Sequence, residues 1–313
     1  AELYFQAMEN DNTGNFQSPS LNNLLNTAYN AGARTHTNSW GSSSASEQAK
    51  YNSETEDVDD RAHYYDRYYS GAAGLTILFA AGNDGPNSGT VSPPATAKNV
   101  ISVGNHQNRY NGAPDSMMSG SSRGPTEDGR IKPDLVAPGG YVRSCRAQEA
   151  TDTGSASWNN NYYLEYTGTS MATPNAAGAA VMVREYLVEI AQRPSPQGAL
   201  VKALLVLGAQ DIGTRDIPND DEGWGRINLK NSLAPSGGKG IWVDDRSVMS
   251  GTGNSKSYPF NISQSNGQFK VVLTWSDERG SRFSSAQLVN DLDLEVTAPD
   301  GTVYLGNDFS NGR

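Results

Sequence analysis

The stretch Tyr162-Tyr163-Leu164-Glu165-Tyr166-Thr167-Gly168-Thr169-Ser170-Met171-Ala172-Thr173-Pro174-Asn175-Ala176-Ala177-Gly178-Ala179-Ala180-Val181-Met182 decides how this chain is read. Its first residues, Tyr162, Tyr163, Tyr166 and Thr167, are aromatic or β-branched and predict an extended segment. Gly168 then allows a turn that a residue with a Cβ would resist. From Met171 onward the residues are small and apolar, the composition of a helix buried on nearly all sides. Pro174 is expected in the first turn of that helix, where its missing N–H has no partner to lose. Ser170 is thereby placed at a helix N-terminus, among unpaired N–H groups and the positive end of the helix dipole. A serine there has two readings. It is a favoured N-cap, or its hydroxyl attacks a carbonyl while its own N–H holds the developing oxyanion.

Working outward, Leu75 to Ala81 is a near-continuous apolar run, as expected of a strand covered on both faces. Ala80-Ala81-Gly82-Asn83-Asp84-Gly85-Pro86 follows it. The C-terminal ends of parallel strands are where ligands bind. Asn83 has an amide to offer an oxyanion, although an asparagine in a glycine-rich turn is unremarkable alone. Ala33 to Trp40 predicts a second strand, with Thr37-Asn38-Ser39-Trp40-Gly41 at its end.

Taken together, Gly168-Thr169-Ser170-Met171-Ala172-Thr173-Pro174 resembles the nucleophile motif of the subtilisin-like serine proteases, the subtilases. The segment around Asn83 is similar to the one that carries the family's oxyanion asparagine, with Ala80, Ala81 and Gly82 walling the pocket for the residue before the scissile bond. Ser39, Trp40 and Gly41 match the edge that pairs with an extended substrate, a case of β-strand addition. Ser121-Ser122-Arg123-Gly124-Pro125 and Lys132-Pro133-Asp134-Leu135-Val136-Ala137-Pro138-Gly139 fall in the family's order and read as scaffold. Gly223 to Arg226 and Val289-Asn290-Asp291-Leu292-Asp293-Leu294 look like the alkaline subtilases that carry a C-terminal β-domain. The resemblance implies an α/β fold, a three-layer parallel sheet with helices on both faces, over residues 1–235. A partial antiparallel β-sandwich is expected over 236–313. It also implies a serine endopeptidase, secreted and monomeric, acting on protein or peptide substrates.

The family needs an aspartate and a general-base histidine before the serine. Its His-Gly-Thr motif does not occur here. His36, His63 and His106 lack the family context, and Asp152-Thr153-Gly154 matches only in letters. The expectation is that both segments precede Ala1 in the intact protein and that this chain alone is essentially inert. A non-catalytic peptide-binding module derived from a protease is the other reading. An α/β-hydrolase is excluded by Ala172, where its elbow needs glycine, and by the absence of any histidine after the nucleophile.

Periodicity supplies the remaining elements. Ala1 to Met8 alternates like a strand. Leu21, Leu24, Leu25 and Ala28 follow helical spacing, with Gly32 as the stop. Val58, Ala62, Tyr65 and Tyr69 share one helix face, while Asp57, Asp59, Asp60, Arg61 and Asp66 predict a solvated opposite face. Strand–helix alternation calls for a parallel sheet. Val100 to Gly104 is another strand; helices are expected from Ser170 to about Ala191 and from Gly198 to Gln210. After Pro235, short strands are expected at 241–243, 257–262, 269–275, 292–296 and 303–305.

The 313 residues hold 24 Lys and Arg against 34 Asp and Glu, a formal charge of −10 that argues against a nucleic-acid partner. No apolar run is long enough to cross a bilayer. Cys145 is the single cysteine, so no intramolecular disulfide forms. Asp291, Asp293, Asn307 and Asp308, with Asp277 nearby, are candidate oxygen ligands for a structural calcium ion.

Overall fold

The computed structural model describes residues 2–10, 15–16, 20–67, 73–108, 113–147, 154, 160–235, 237–245, 247–263 and 267–307. In chain order the elements are β1 (Glu9–Asn10), β2 (Asn15–Phe16), α1 (Leu21–Asn30), β3 (Thr35–Asn38), α2 (Ser53–Arg67), β4 (Thr76–Ala80), β5 (Ile101–His106) and β6 (Leu135–Pro138). They continue with β7 (Val142–Cys145), β8 (Tyr163–Tyr166), α3 (Thr169–Glu189), α4 (Gly198–Gly208), α5 (Leu229–Leu233), β9 (Glu295–Thr297) and β10 (Val303–Leu305).

The centre is β4, Thr-Ile-Leu-Phe-Ala, buried at every position. Alternate side chains of a strand point to opposite faces, and here each face finds a helical layer. Ile77 and Phe79 pack with Leu21, Leu25 and Tyr29 of α1 and Val58, Ala62 and Tyr65 of α2. Leu78 faces the other way, onto Ala176, Ala180 and Val183 of α3 and Leu204 and Leu205 of α4. The sheet runs β3-β4-β5-β6 with all neighbours parallel, from Thr35 opposite Thr76 to His106 opposite Pro138. This is the expected three-layer α/β architecture. Its strands end together at Asn38, Ala80, His106 and Pro138, and α3 starts beside those ends, in contact with all four.

Three expectations differ in detail. Residues 2–8 form no strand ladder among the described residues; the segment is held by Gln6, which donates to Leu24 O and accepts from His36 Nε2. The acidic face of α2 is not uniformly solvated. Asp59 is fully buried and accepts from Tyr51 Oη and the N–H groups of Lys98 and Asn99. Beyond Pro235, two of the five expected strands pair, β9 with β10 as an antiparallel hairpin. The stretch 269–275 does alternate, but it lies on α4 instead of a partner strand: Val272 packs into the core, Lys270 Nζ donates to Val206 O and Thr274 Oγ1 to Ala199 O. Farther on, Lys98 Nζ is enclosed by the Asp277 carboxylate and the carbonyls of Glu278 and Gln287, which fastens that stretch to the α2 layer.

Asp66, second from the end of α2, also leaves the solvated face. Its carboxylate accepts from Gly198 N at 2.9 Å and Ala199 N at 3.4 Å, capping α4. Burial pushes its carboxyl up to about 6 despite those donors. The native state therefore keeps a proton that the unfolded chain, titrating at about 3.9, releases. The sign follows by linkage: Asp66 contributes most stability below about pH 4, and that contribution fades as pH rises to about 6. In urea titrations from pH 4 to 7, Asp66→Asn is expected to gain on the wild type as pH rises. A pH-independent difference between the two would refute the assignment.

Candidate active site

Helix α3 begins at Thr169 with Gly168 as its N-cap, so Ser170 is its second residue rather than the cap. Its hydroxyl is spent elsewhere, donating to Ser39 O at 3.2 Å, while Ser39 Oγ donates to Ser170 O at 2.7 Å. Gly168 serves closeness rather than turning. Its backbone is extended, and a Cβ there would stand 3.3 Å from Asn83 Oδ1. Pro174 lies in the second turn, not the first. Its N–H would have served the carbonyl of Ser170, because helical bonds run from residue i to i−4.

Asn83 stands on the loop after β4. Its Oδ1 accepts from Thr169 N at 2.9 Å and Thr169 Oγ1 at 3.1 Å. Thr169 Oγ1 also lies 3.2 Å from Gly82 O, and Gly82 N donates back to it. An amide has one acceptor end and one donor end. With Oδ1 fixed on Thr169, the Nδ2 hydrogens are directed away from it, and Asn83 is exposed. Thus the sequence-predicted pair, Ser170 and Asn83, is brought together through one intervening residue, Thr169. Thr169 belongs to the same sequence motif, and its hydroxyl one position before the serine is the signal for this role.

The substrate-edge candidates gather at the same place. Ser39 follows β3 and touches Ser170. Trp40 packs edge-on against Phe79, ring centroids 5.4 Å apart. At Gly41 a Cβ would meet Pro93 O at 2.9 Å, and Ser42 N donates to that carbonyl. Ala80 and Ala81 are buried, leaving half-buried Gly82 above them as the accessible surface of that segment. Gly82 has φ +113°, and a Cβ would come within 2.7 Å of Ser122 Oγ. This gives Ser122, read from sequence as scaffold, a place beneath the loop that carries Asn83. Its Oγ accepts from Asp84 N at 3.1 Å, which pins the residue after Asn83.

The subtilase family profile matches residues 1–225 of the chain. The chain is a subtilase. It is 36% identical over 172 residues to the serine protease AprX of Bacillus subtilis (strain 168), covering 52% of this chain and 36% of AprX. It is 26% identical over 427 aligned residues to the serine protease/ABC transporter B family protein tagD of Dictyostelium discoideum, covering 95% of this chain and 23% of tagD. The chain thus spans about a quarter to a third of these relatives' lengths. Among solved structures, a lanthipeptide protease superposes with a TM-score of 0.52 at 20% identity, over 72% of this chain and 68% of that one. At that identity the likeness shows the fold.

None of this subtilase's three histidines bonds Ser170. His36 donates from Nε2 to Gln6 Oε1 and accepts at Nδ1 from Asn38 Nδ2, a pattern that assigns the neutral tautomer. Burial pushes its pKa down to about 4. His63 contacts Ser276 O and Arg67 Nη1. His106 is buried, bonds Gln107 O through Nδ1 and is also pushed down by burial to about 4. Both imidazoles are neutral near pH 7 and engaged away from the serine.

The acidic residues of the C-terminal part stand in different surroundings. Asp277 is fully occupied: Oδ1 accepts from Asn290 N and Nδ2, and Oδ2 from Lys98 Nζ and Val289 N. Asp291, Asp293 and Asn307 are exposed, and Asp308 lies outside the described residues. Among the described residues no three His, Cys, Asp or Glu side chains form a metal-holding group. Among the described residues, too, no helix is long and apolar enough to cross a membrane.

Proposed function

We propose that this subtilase chain carries the nucleophile, the oxyanion hole and the substrate edge of a secreted, monomeric serine endopeptidase. Residues 1–235 form its peptidase part and residues 236–313 belong to a C-terminal β-domain. Ser170 Oγ attacks the scissile carbonyl to form an acyl-enzyme and expels the amine, and water later releases the acid. The Ser170 N–H and Asn83 Nδ2 hold the tetrahedral oxyanion. An extended protein or peptide substrate adds along Ser39 to Gly41, with Gly82 and the alanines beneath it at the pocket for the residue before the scissile bond. The observation that carries this reading is the Asn83–Thr169 lock, which orients a side-chain amide donor beside a serine at a helix start.

The general base comes from sequence outside these 313 residues, since His36, His63 and His106 are otherwise engaged. The chain alone is therefore expected to be nearly inert. That same observation favours a second reading, a peptide-binding cleft without hydrolysis. A fluorophosphonate probe separates them. In the full-length protein the adduct, mapped by mass spectrometry, is expected on Ser170. A full-length protein that takes up no probe, or takes it up at another residue, would leave only the binding reading.

A further inference from the structure

The position of Pro174 has a consequence for Ser39. Deep in the second turn, Pro174 cannot donate to Ser170 O, the acceptor its helical position assigns to it. A helix carbonyl that has lost its backbone donor is paired by water or by a side chain. The first three carbonyls of α3 each receive a side chain. Thr173 Oγ1 donates to Thr169 O at 2.8 Å, Asn175 Nδ2 to Met171 O at 3.2 Å and Ser39 Oγ to Ser170 O at 2.7 Å. Only Ser39, of these three, comes from outside the helix. It stands at the end of β3 and receives the Ser170 hydroxyl on its own carbonyl in return.

We propose that Ser39 is a positioning residue of the acyl-transfer site: its hydroxyl replaces the helical donor that Pro174 lacks and ties the turn bearing Ser170 to the substrate edge. The inference rests on reading Ser170 as the nucleophile. Ser39 Oγ transfers no proton in the reaction; it fixes where Ser170 stands relative to a substrate strand laid against the Ser39 backbone. Small displacements of a nucleophile from its acceptor carbonyl are costly in rate. The proline then has a use, since it frees the carbonyl of the nucleophilic residue for a bond from the neighbouring element.

A double-mutant cycle tests this, because Pro174→Ala restores a backbone N–H for Ser170 O. In the full-length protein, Ser39→Ala is expected to slow acylation about tenfold, the worth of roughly one hydrogen bond. KM should stay nearly constant, because substrate pairs with the Ser39 backbone and not its side chain. Ser39→Thr, which keeps the hydroxyl, should recover most of the rate. In the Pro174→Ala background, Ser39→Ala should cost less than about twofold, the strong non-additivity expected of groups sharing one partner. Equal losses in both backgrounds, or a loss confined to KM, would overturn the proposal.

A second readout uses the 313-residue chain itself. With 13C-carbonyl serine and 15N-methionine, only the Ser116–Met117 and Ser170–Met171 pairs give signals. The Ser170 carbonyl should move upfield in Ser39→Ala and return in the double variant. A Ser170 that takes the probe while its carbonyl ignores Ser39 refutes the positioning role. A carbonyl that responds in a protein whose Ser170 never takes the probe preserves the hydrogen bond but removes the nucleophile reading, and the catalytic role of Ser39 with it.

Discussion

Asp134→Ala is expected to lower stability by about 3–5 kcal/mol, the penalty for stranding buried charge. Asp134 sits just before β6 with its side chain 4% exposed, and Lys132 is as deeply buried. Lys132 Nζ donates to Oδ2 at 2.7 Å, Lys202 Nζ to Oδ1 at 2.7 Å, and Ser102 N to Oδ2 at 2.7 Å. Burial alone would raise this carboxyl, yet Lys132 and Lys202 together outweigh it and hold the pKa below the usual range. Burial pushes Lys132 down to about 8 even with that partner. Lys202 has other recourse, since its Nζ also donates to Val100 O at 2.9 Å. Lys132 relies on the carboxylate. Native domains are stable by about 5–15 kcal/mol, so the variant should unfold at much lower urea or not fold at all. The double variant Lys132→Met with Asp134→Leu separates charge from volume, because a buried pair replaced by apolar residues is often nearly neutral. It should regain most of the loss. A single variant costing under about 1 kcal/mol, the range of exposed ion pairs, would show that the network is solvated in solution.

This network marks the limit of what could be read from residues alone. Lys132 to Gly139 was recognisable as a block, but only as scaffold. Nothing in its spacing says that Lys202, on another helix, completes the charge balance. The same holds for Asp59 and Asp66. Their helix was legible from Val58, Ala62 and Tyr65, whereas their burial depends on Lys98, Asn99 and Gly198, which are remote in sequence. Local signals served well where a strand or helix buries a face of its own: Leu75 to Ala81, Leu21 to Ala28 and the small-residue helix after Ser170 all formed. They served poorly where apolar alternation had no neighbouring strand to pair with. Residues 269–275 carry a strand's pattern and lie instead on α4. Ser170 and Asn83 were legible because each stands in a glycine-bounded motif. Thr169 and Ser39 acquire their contacts only when α3 meets the ends of β3 and β4. Pro174 could be misplaced by a turn because the helix was counted from Met171 instead of Thr169.

Asn83→Leu in the full-length protein is expected to slow acylation by about 10²–10³, or roughly 2.7–4 kcal/mol in the transition state. Removal of such a donor in subtilisin has an effect of that size. Leucine keeps the branched shape of asparagine in a bulkier side chain, and it deletes the Nδ2 donor together with the Oδ1 acceptor that Thr169 uses. The ground-state carbonyl needs this donor less than the oxyanion does, so KM should change little and the loss should fall on the acylation rate. Thr169→Val sharpens the point. It removes the hydroxyl bond to Asn83 Oδ1 but retains the N–H bond at 2.9 Å. If Thr169 acts by orienting the amide, its variant should lose less than Asn83→Leu, and adding it to Asn83→Leu should cost little more. Independent, additive losses would mean that Thr169 acts on the substrate by another route. An Asn83→Leu protein that acylates within about threefold of wild type, far short of the loss such a donor carries, would remove the side-chain amide from the oxyanion hole. The N–H groups at the start of α3 would then carry that charge by themselves.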